Sequence, residues 1–200
     1  MITLFHHPRS RSTRFIFLLE ELEAPYQIRR VTMRRSDGSG ALDPDNPHPH
    51  GKVPVIADDD GVVVYESAAI ALYLTDRFPK NRLGPTVGEP RRGAYLSWLS
   101  YYTGVLEPAF MSRFMKVAVP RGTAGWVEIE EVMEHVLRQL AAGQYLLGDR
   151  FSAVDVLFGT TFALFAQSPM LPQSTVLDEY VKRIVARPAF AKSQALDDAP

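Results

Sequence analysis

The sequence predicts two kinds of domain in succession, an α/β half and then an all-helical half. Three observations carry that expectation. Residues 1 to 78 alternate short β-compatible runs with amphipathic helical stripes, in the order β-α-β, loop, β-β-α. Residues 79 to 90 (PKNRLGPTVGEP) are dense in Pro and Gly and read as a linker. From 91 to 200, apolar side chains recur at helical spacing and no convincing strand pattern returns.

Ile2 to His6 open the chain as a strand. Phe15, Leu18, Leu19 and Leu22 then fall at i, i+3, i+4 and i+7, one apolar stripe with Glu20, Glu21 and Glu23 on the wet side. Pro25 stops that helix, and Tyr26 to Val31 form a second strand. The stretch SDGSGALDPDNPHPHG, 36 to 51, holds Pro44, Pro47 and Pro49, so little regular structure is expected there. Val53 to Ala57 and Val62 to Tyr65 flank DDDG, where Asp60-Gly61 is a hairpin signal. Ser67 stands where an N-cap belongs, ahead of Ile70, Tyr73, Leu74 and Arg77 on one helix face. Residues 91 to 118 then carry Leu96, Leu99, Tyr102, Thr103, Leu106, Phe110 and Phe114 near helical spacing. Residues 124 to 142 repeat the pattern with Val127, Val132, Val136 and Leu140. Ser152 and Asp155 have the layout of a capping box, Asp replacing the usual Glu or Gln, with Phe151 and Val156 set as a hydrophobic staple. Such a Ser cap contributes ~1 kcal/mol and is expected to serve folding alone.

Composition narrows the function classes. Two hundred residues can bury a core in each of two small domains, and 46% hydrophobic with 22% charged residues is ordinary for a soluble chain. A formal net charge of −1 without a run of five or six like charges argues against nucleic acid or an anionic membrane as the main partner. No apolar run nears the ~20 residues of a membrane-spanning helix. The N-terminus opens on a strand pattern rather than a signal peptide, so a cytoplasmic location is expected. The absence of cysteine excludes disulfides, thiolate metal sites and protein-thiol redox chemistry. His48 and His50 sit in a Pro-rich loop without carboxylates at ligand spacing, and no metal is expected.

Three loops have residue types suited to chemistry. FHHPRSRSTRF, 5 to 15, interleaves Arg9, Ser10, Arg11 and Ser12 at the mouth of the first helix. Ser10 and Ser12 are cap candidates. The same helix N-terminus, with unpaired N–H groups and partial positive charge, also suits an anion to which a hydroxyl can donate. Both readings stay open on these residues. A Ser–His pair with His6 or His7 lacks an evident orienting carboxylate, so a serine nucleophile is not expected. In GKVPVI, 51 to 56, Pro54 keeps Val53 from a regular ladder. A plain trans Pro at a strand start is the simpler reading, and a cis bond would free the Val53 edge for a ligand. In YESAAIALYL, 65 to 74, Glu66 and Ser67 mark another helix N-terminus, an ordinary cap or a seat for a ligand carboxylate, with Glu66 able to take an ammonium.

With LLGDRFSAVDVL (146 to 157) and YVKRIVARPAF (180 to 190), these segments in this order resemble the cytosolic glutathione transferase family, in a serine-type form of the bacterial and fungal kind. The likeness covers nearly the whole chain. It implies a thioredoxin-like N-terminal domain, an all-helical C-terminal domain contributing an electrophile pocket, and a homodimer. It implies glutathione as co-substrate and no metal. Val53, before a cis Pro54, would pair its backbone with the cysteinyl part of glutathione. Glu66 and Ser67 would hold the γ-glutamyl end, and Lys52 would lie near the glycyl end. Ser10, four residues before Arg14, would hold the glutathione thiolate, with Ser12 as fallback and Arg11 as an electrostatic aid. Tyr102, Phe110 and Phe114, beside Tyr101, Met111 and Met115, are the apolar candidates for the electrophile pocket; periodicity alone makes them helix core. The function implied is conjugation of the glutathione thiolate to small apolar electrophiles, a detoxification chemistry. The alternatives are glutathione-dependent reduction of organic hydroperoxides and a non-catalytic binding protein. Arg9, where many relatives carry a small residue, keeps the last one open.

Overall fold

The structure, a computed structural model, describes residues 1–35 and 37–198. Ser36, in the stretch expected to be irregular, and residues 199 and 200, at the end of the expected helical half, lie outside the described residues. Contacts divide the chain into two compact units, Met1–Asn81 joined by the segment from Arg187 onward, and Arg82–Ala186. The last helix belongs with the α/β unit.

In the first unit, β1 (Ile2–His6) pairs in parallel with β2 (Tyr26–Arg30), and α1 (Thr13–Glu21) connects them. β3 (Val55–Asp58) pairs antiparallel with β1, and β4 (Val63–Tyr65) antiparallel with β3, giving the order β2-β1-β3-β4. With α2 (Ser67–Arg77) this is the thioredoxin-like arrangement. β1 is central, so Ile2, Leu4, Phe5 and His6 are all buried. Phe15 to Leu19 of α1 are wholly buried around the helix, which requires cover on more than one side. Part of that cover is α8 (Pro188–Asp198). The Phe190 and Phe17 rings meet edge to face at 5.6 Å. The Arg187 guanidinium forks onto Glu21 with two 2.7 Å hydrogen bonds, and Lys192 Nζ lies 2.7 Å from Glu20. A helix's own periodicity does not name the surface that it covers, so α8 could not be assigned from sequence.

The strand registers fix where the loops emerge. Phe5 is opposite Val55, and Val55 is opposite Tyr65, so the three residues form one row across the sheet. The loop after β1, the loop before β3 and the turn after β4 all leave the sheet from that end. At the other end Asp58 holds α2, accepting from Tyr73 Oη at 2.7 Å and from Arg77 Nε at 3.2 Å. The Asp59 side chain first, then these donors and the Asp59 amide, keep its carboxyl well below the usual range.

The second unit is helical, as expected. α3 (Arg92–Tyr101), a π-helical turn (Tyr102–Leu106) and α4 (Glu107–Met115) run on from one another. Pro108 has no N–H for the Gly104 carbonyl, and the chain widens by one turn just before it. α5 (Ile129–Ala142) starts later than the predicted 124, after a segment turned by Gly122 at φ 85°. α6 (Ala153–Leu164) is the buried centre, and α7 (Thr175–Val185) packs beside it. Ser152 and Asp155 form the capping box. Asp155 Oδ2 accepts from the Ser152 N–H and hydroxyl at 2.9 Å each. Its Oδ1 accepts from the Leu146 N–H at 2.9 Å and the Tyr180 hydroxyl at 3.0 Å. Burial pushes the Asp155 carboxyl up to about 6 against the pull of these donors.

Removing that carboxylate strands four buried donor groups, at roughly 1–3 kcal/mol each. Asp155→Ala is expected to lower unfolding free energy by at least about 4 kcal/mol in urea titrations, while Asp155→Asn, which keeps an acceptor, loses less.

Candidate functional site

The hydroxyl loop follows β1 directly. Arg9 adopts φ 55° and donates its N–H to Asp197 Oδ2 at 2.9 Å, turning the chain toward α1. The Ser10 carbonyl accepts from the Thr13 N–H at 3.2 Å and the Ser12 carbonyl from the Phe15 N–H at 2.9 Å, so both residues are built into the helix entry. Ser12 occupies the N-cap position, but its side chain makes no capping bond. Its Oγ lies 2.7 Å from His6 Nδ1 and 2.7 Å from Ser10 Oγ. Ser12 is fully buried and Ser10 half-buried; Arg11 is exposed.

His6 is buried at the end of β1, with Nε2 3.3 Å from Asp197 Oδ1. Burial is the main reason that its pKa falls to about 4; Asp197 pulls it upward, while Arg30 and His7 push it down. His7 faces the other way. Its Nδ1 pairs with the Val31 carbonyl at 3.0 Å, which makes Nε2 the acceptor for Arg35 at 3.0 Å.

The loop ahead of β3 is knit by Asn46. Its Oδ1 accepts from the His48 N–H at 3.0 Å, and its Nδ2 donates to the Lys52 carbonyl at 3.0 Å. His48 Nδ1 accepts from the His50 N–H at 3.0 Å, and the His48 ring stands 5.2 Å from that of Tyr65. Lys52 is exposed, and the Val53–Pro54 bond is cis. The ladder begins at Val55, so Val53 lies outside it, beside the same sheet end as Ser10.

After β4, Glu66 takes φ 70° and becomes the N-cap of α2, making Ser67 the first helical residue and not the cap expected from its type. A non-glycine residue there is strained by roughly 1–3 kcal/mol. The turn leaves Glu66 exposed and Ser67 buried at a helix N-terminus whose first N–H groups lack intrahelical partners.

In sequence and in fold the chain is similar to known proteins. The family described as glutathione S-transferase, N-terminal domain, matches residues 10–77. Glutathione S-transferase 3 of Schizosaccharomyces pombe is 28% identical over 173 residues, covering 78% of this chain and 70% of that protein. Glutathione S-transferase GstA of Escherichia coli O157:H7 is 25% identical over 188 residues, 92% of this chain and 93% of the other. A solved sphingomonad glutathione S-transferase complexed with glutathione superposes with TM-score 0.76 at 26% identity, covering 99% of this chain and 100% of that one. The chain belongs to the cytosolic glutathione transferase family. In this glutathione transferase, three loops assembled by one sheet row bring Ser10, Val53 and Glu66-Ser67 to a common end of the N-terminal unit.

Three participants were not assigned from the sequence. Asn46 has a faint signal, an amide between two prolines that lack N–H groups of their own. His6 lacked a carboxylate partner within reach along the chain. Asp197, which supplies one, has no local signal. Of the aromatics expected to face a second substrate, Phe114 is 70% exposed. Phe110 packs on Phe165 at 5.3 Å and is buried. Tyr102 is fully buried, its Oη 2.8 Å from Thr161 Oγ1 and 3.1 Å from Glu107. The latter two present no open ring face.

Folded His6 stays neutral down to about 4, while in the unfolded chain it protonates near 6.5. Acid therefore favours the unfolded chain, and the His6 contribution to stability is lost as pH falls from 6.5 to 4. The stability difference between wild type and His6→Asn, measured by denaturant titration at each pH, is expected to shrink across that window by about 3 kcal/mol.

Proposed function

We propose that the chain conjugates the thiolate of glutathione to small apolar electrophiles, and that Ser10 is the hydroxyl that holds the sulfur. The observation that carries this reading is the shared row Phe5–Val55–Tyr65, which sends the hydroxyl loop, the Val53 edge and the Glu66-Ser67 helix start from one sheet end. A tripeptide thiol needs those three functions side by side. The Val53 backbone pairs with the cysteinyl unit, Pro54 shaping that edge. Glu66 and Ser67 take the γ-glutamyl ammonium and carboxylate, and Lys52 serves the glycyl carboxylate. Ser10 is favoured over Ser12 because Ser12 is buried and bonded to His6. Arg11 adds positive potential at the exposed side of the loop.

The energetics suffice without a general base. A free thiol ionises near pKa ~8.5, and lowering this to ~6.5 requires ~2.7 kcal/mol of preference for the thiolate. One charge-assisted hydrogen bond of ~1.5–3 kcal/mol and a helix N-terminus worth ~0.3–1 kcal/mol provide it. The electrophile is assigned to the second unit, on the α4 face where Phe114, Met111 and Met115 are exposed, with Phe110 and Tyr102 supporting it from the core. Such a surface selects for apolar character and not for one compound. The reading includes a homodimer and no metal. Among the described residues no helix is long and apolar enough to cross a membrane.

Ser10→Ala is expected to reduce kcat/KM for a chloro-dinitrobenzene-type substrate roughly 10–100-fold, the equivalent of one charge-assisted hydrogen bond, with Ser12→Ala losing less. Unchanged turnover in both variants would remove the hydroxyl role. Faster turnover of cumene hydroperoxide than of the aryl halide would shift the reading to a peroxidase. No binding heat with millimolar glutathione would favour a non-catalytic protein.

A further inference from the structure

The hydroxyl loop is backed by four polar side chains in line: Ser10, Ser12, His6 and Asp197. Their successive separations are 2.7 Å between hydroxyls, 2.7 Å from Ser12 Oγ to His6 Nδ1, and 3.3 Å from His6 Nε2 to Asp197 Oδ1. Ser12, His6 and Asp197 are 0%, 0% and 4% exposed. Asp197 comes from α8, and its carboxylate also accepts from the Arg9 N–H and the Thr13 hydroxyl. Arg30 donates to the Leu196 carbonyl at 3.0 Å and so pins the end of α8 to β2. The charged or titratable neighbours of the His6 ring are Asp197 on α8, Arg30 on β2 and His7 in the loop.

We propose that Asp197 and His6 are positioning residues that set the direction of this hydrogen-bond chain and thereby leave Ser10 as the single hydroxyl able to donate to sulfur. The inference rests on the thiolate-holding role of Ser10 given above. Counting protons produces it. His6 Nε2 approaches Asp197 Oδ1 without the alignment of a hydrogen bond and has no other partner. A carboxylate oxygen 3.3 Å away attracts an N–H even off the line of a hydrogen bond and repels a bare ring nitrogen, so Nε2 carries the hydrogen. The neutral ring then presents a bare Nδ1, which takes the single hydroxyl hydrogen of Ser12. The His7 carbonyl, at 3.4 Å, is the more distant competitor for that hydrogen, and with the hydrogen on Nδ1 at 2.7 Å Ser12 Oγ accepts from the His7 N–H at 3.3 Å and from Ser10 at 2.7 Å. Ser10 must be the donor in the serine–serine bond, while its own Oγ accepts from the Ser12 N–H at 3.2 Å. At rest the Ser10 hydrogen lies on Ser12; when the thiolate arrives it turns outward, and the Ser12 hydrogen stays on His6.

The chain can be reversed by one isosteric change. In Asp197→Asn, the Arg9 N–H still requires a carbonyl oxygen, so the amide nitrogen falls on the side that faces His6 Nε2. Nε2 then accepts, Nδ1 carries the hydrogen and donates to Ser12, and Ser12 donates to Ser10. The Ser10 hydrogen is left free for sulfur without breaking a bond.

Two measurements test this. Nitrogen-15 correlation spectra of the ligand-free protein report which His6 nitrogen is protonated: Nε2 is expected in the wild type and Nδ1 in Asp197→Asn. Ultraviolet titration of thiolate in bound glutathione is expected to show a lower apparent pKa in Asp197→Asn, by roughly half to one unit, the scale of one released neutral hydrogen bond. Adding Ser12→Ala should then act with opposite signs. In the Asp197→Asn background it removes a donor to Ser10 and raises the thiol pKa; in the wild-type background it removes a competing acceptor and does not raise it. A purely structural Asp197 would give neither a tautomer change nor this sign reversal. A hydrogen on Nδ1 in the wild type overturns the inference even if Asp197→Asn fails to fold. An unmoved tautomer in a folded Asp197→Asn also overturns it. Absence of glutathione binding by a wild type with the expected tautomer overturns the thiolate role of Ser10, and with it the functional part of the inference.

Discussion

The antiparallel pairing of β1 with β3 is the constraint from which the site follows. Because Phe5 meets Val55 and Val55 meets Tyr65, three loops distant in sequence must leave the sheet at one end. A slip of one residue in either pairing would exchange the faces of β3, taking Val55 and Ile56, both wholly buried, out of their packing, and would shift the Val53 edge out of the row. The apolar core thus fixes register, and register fixes the spacing of the three loops of the candidate site. The chemistry is not carried by the strands themselves. It is carried by their ends, held in place by burial elsewhere.

The same logic runs through the polar interior. Asp58, Asp155 and Asp197 are buried carboxylates at element ends, each accepting from donors on another element. Asp58 fixes α2 against the hairpin, Asp155 closes the start of α6 onto α7 and the 146 loop, and Asp197 fixes the turn between β1 and α1. Where donors are abundant and near, as at Asp58, the carboxyl is held below its ordinary value; where burial outweighs them, as at Asp155, it rises. Leaving such a group unpaired costs more than pairing it gains, so these contacts specify geometry more than they add stability.

Local pattern makes most of the fold legible in the sequence. The strand at Ile2–His6, the hairpin around Asp60-Gly61 and the capping box at Ser152 each rest on neighbours within a few residues. Errors arise where a longer-range partner competes. Ser12 occupies a cap position without capping, because His6 offers its hydroxyl a buried nitrogen at 2.7 Å. Ser67 is one step inside its helix because Glu66 adopts a left-handed φ that its side-chain type does not advertise. α8 shows no preference for one unit over the other until Phe190, Arg187 and Lys192 meet α1. Asp197 lies 191 positions beyond His6 (197 − 6), and no spacing rule spans that distance. The loop residues of the site are thus visible as types, while the groups that orient them emerge only with the tertiary contacts.

A site that holds a sulfur between ionisation and attack needs a moderate grip. A thiolate stabilised too strongly loses nucleophilicity as its pKa falls, with a slope of roughly 0.4–0.5 in log rate per unit, so the best thiol has a pKa near the ambient pH. A buried cation beside the sulfur would overshoot, and a protein thiol could exchange with it. This chain has no cysteine. In the proposed site, one neutral hydroxyl at a helix N-terminus would supply an intermediate grip, provided that only one hydroxyl reaches the sulfur. Two adjacent serines at the loop would spoil that balance if both could donate. On the proposed thiolate role of Ser10, burying Ser12 against His6 would resolve the conflict: the second serine would serve as scaffold for the first, and the strength of the grip would be set from behind the loop by Asp197.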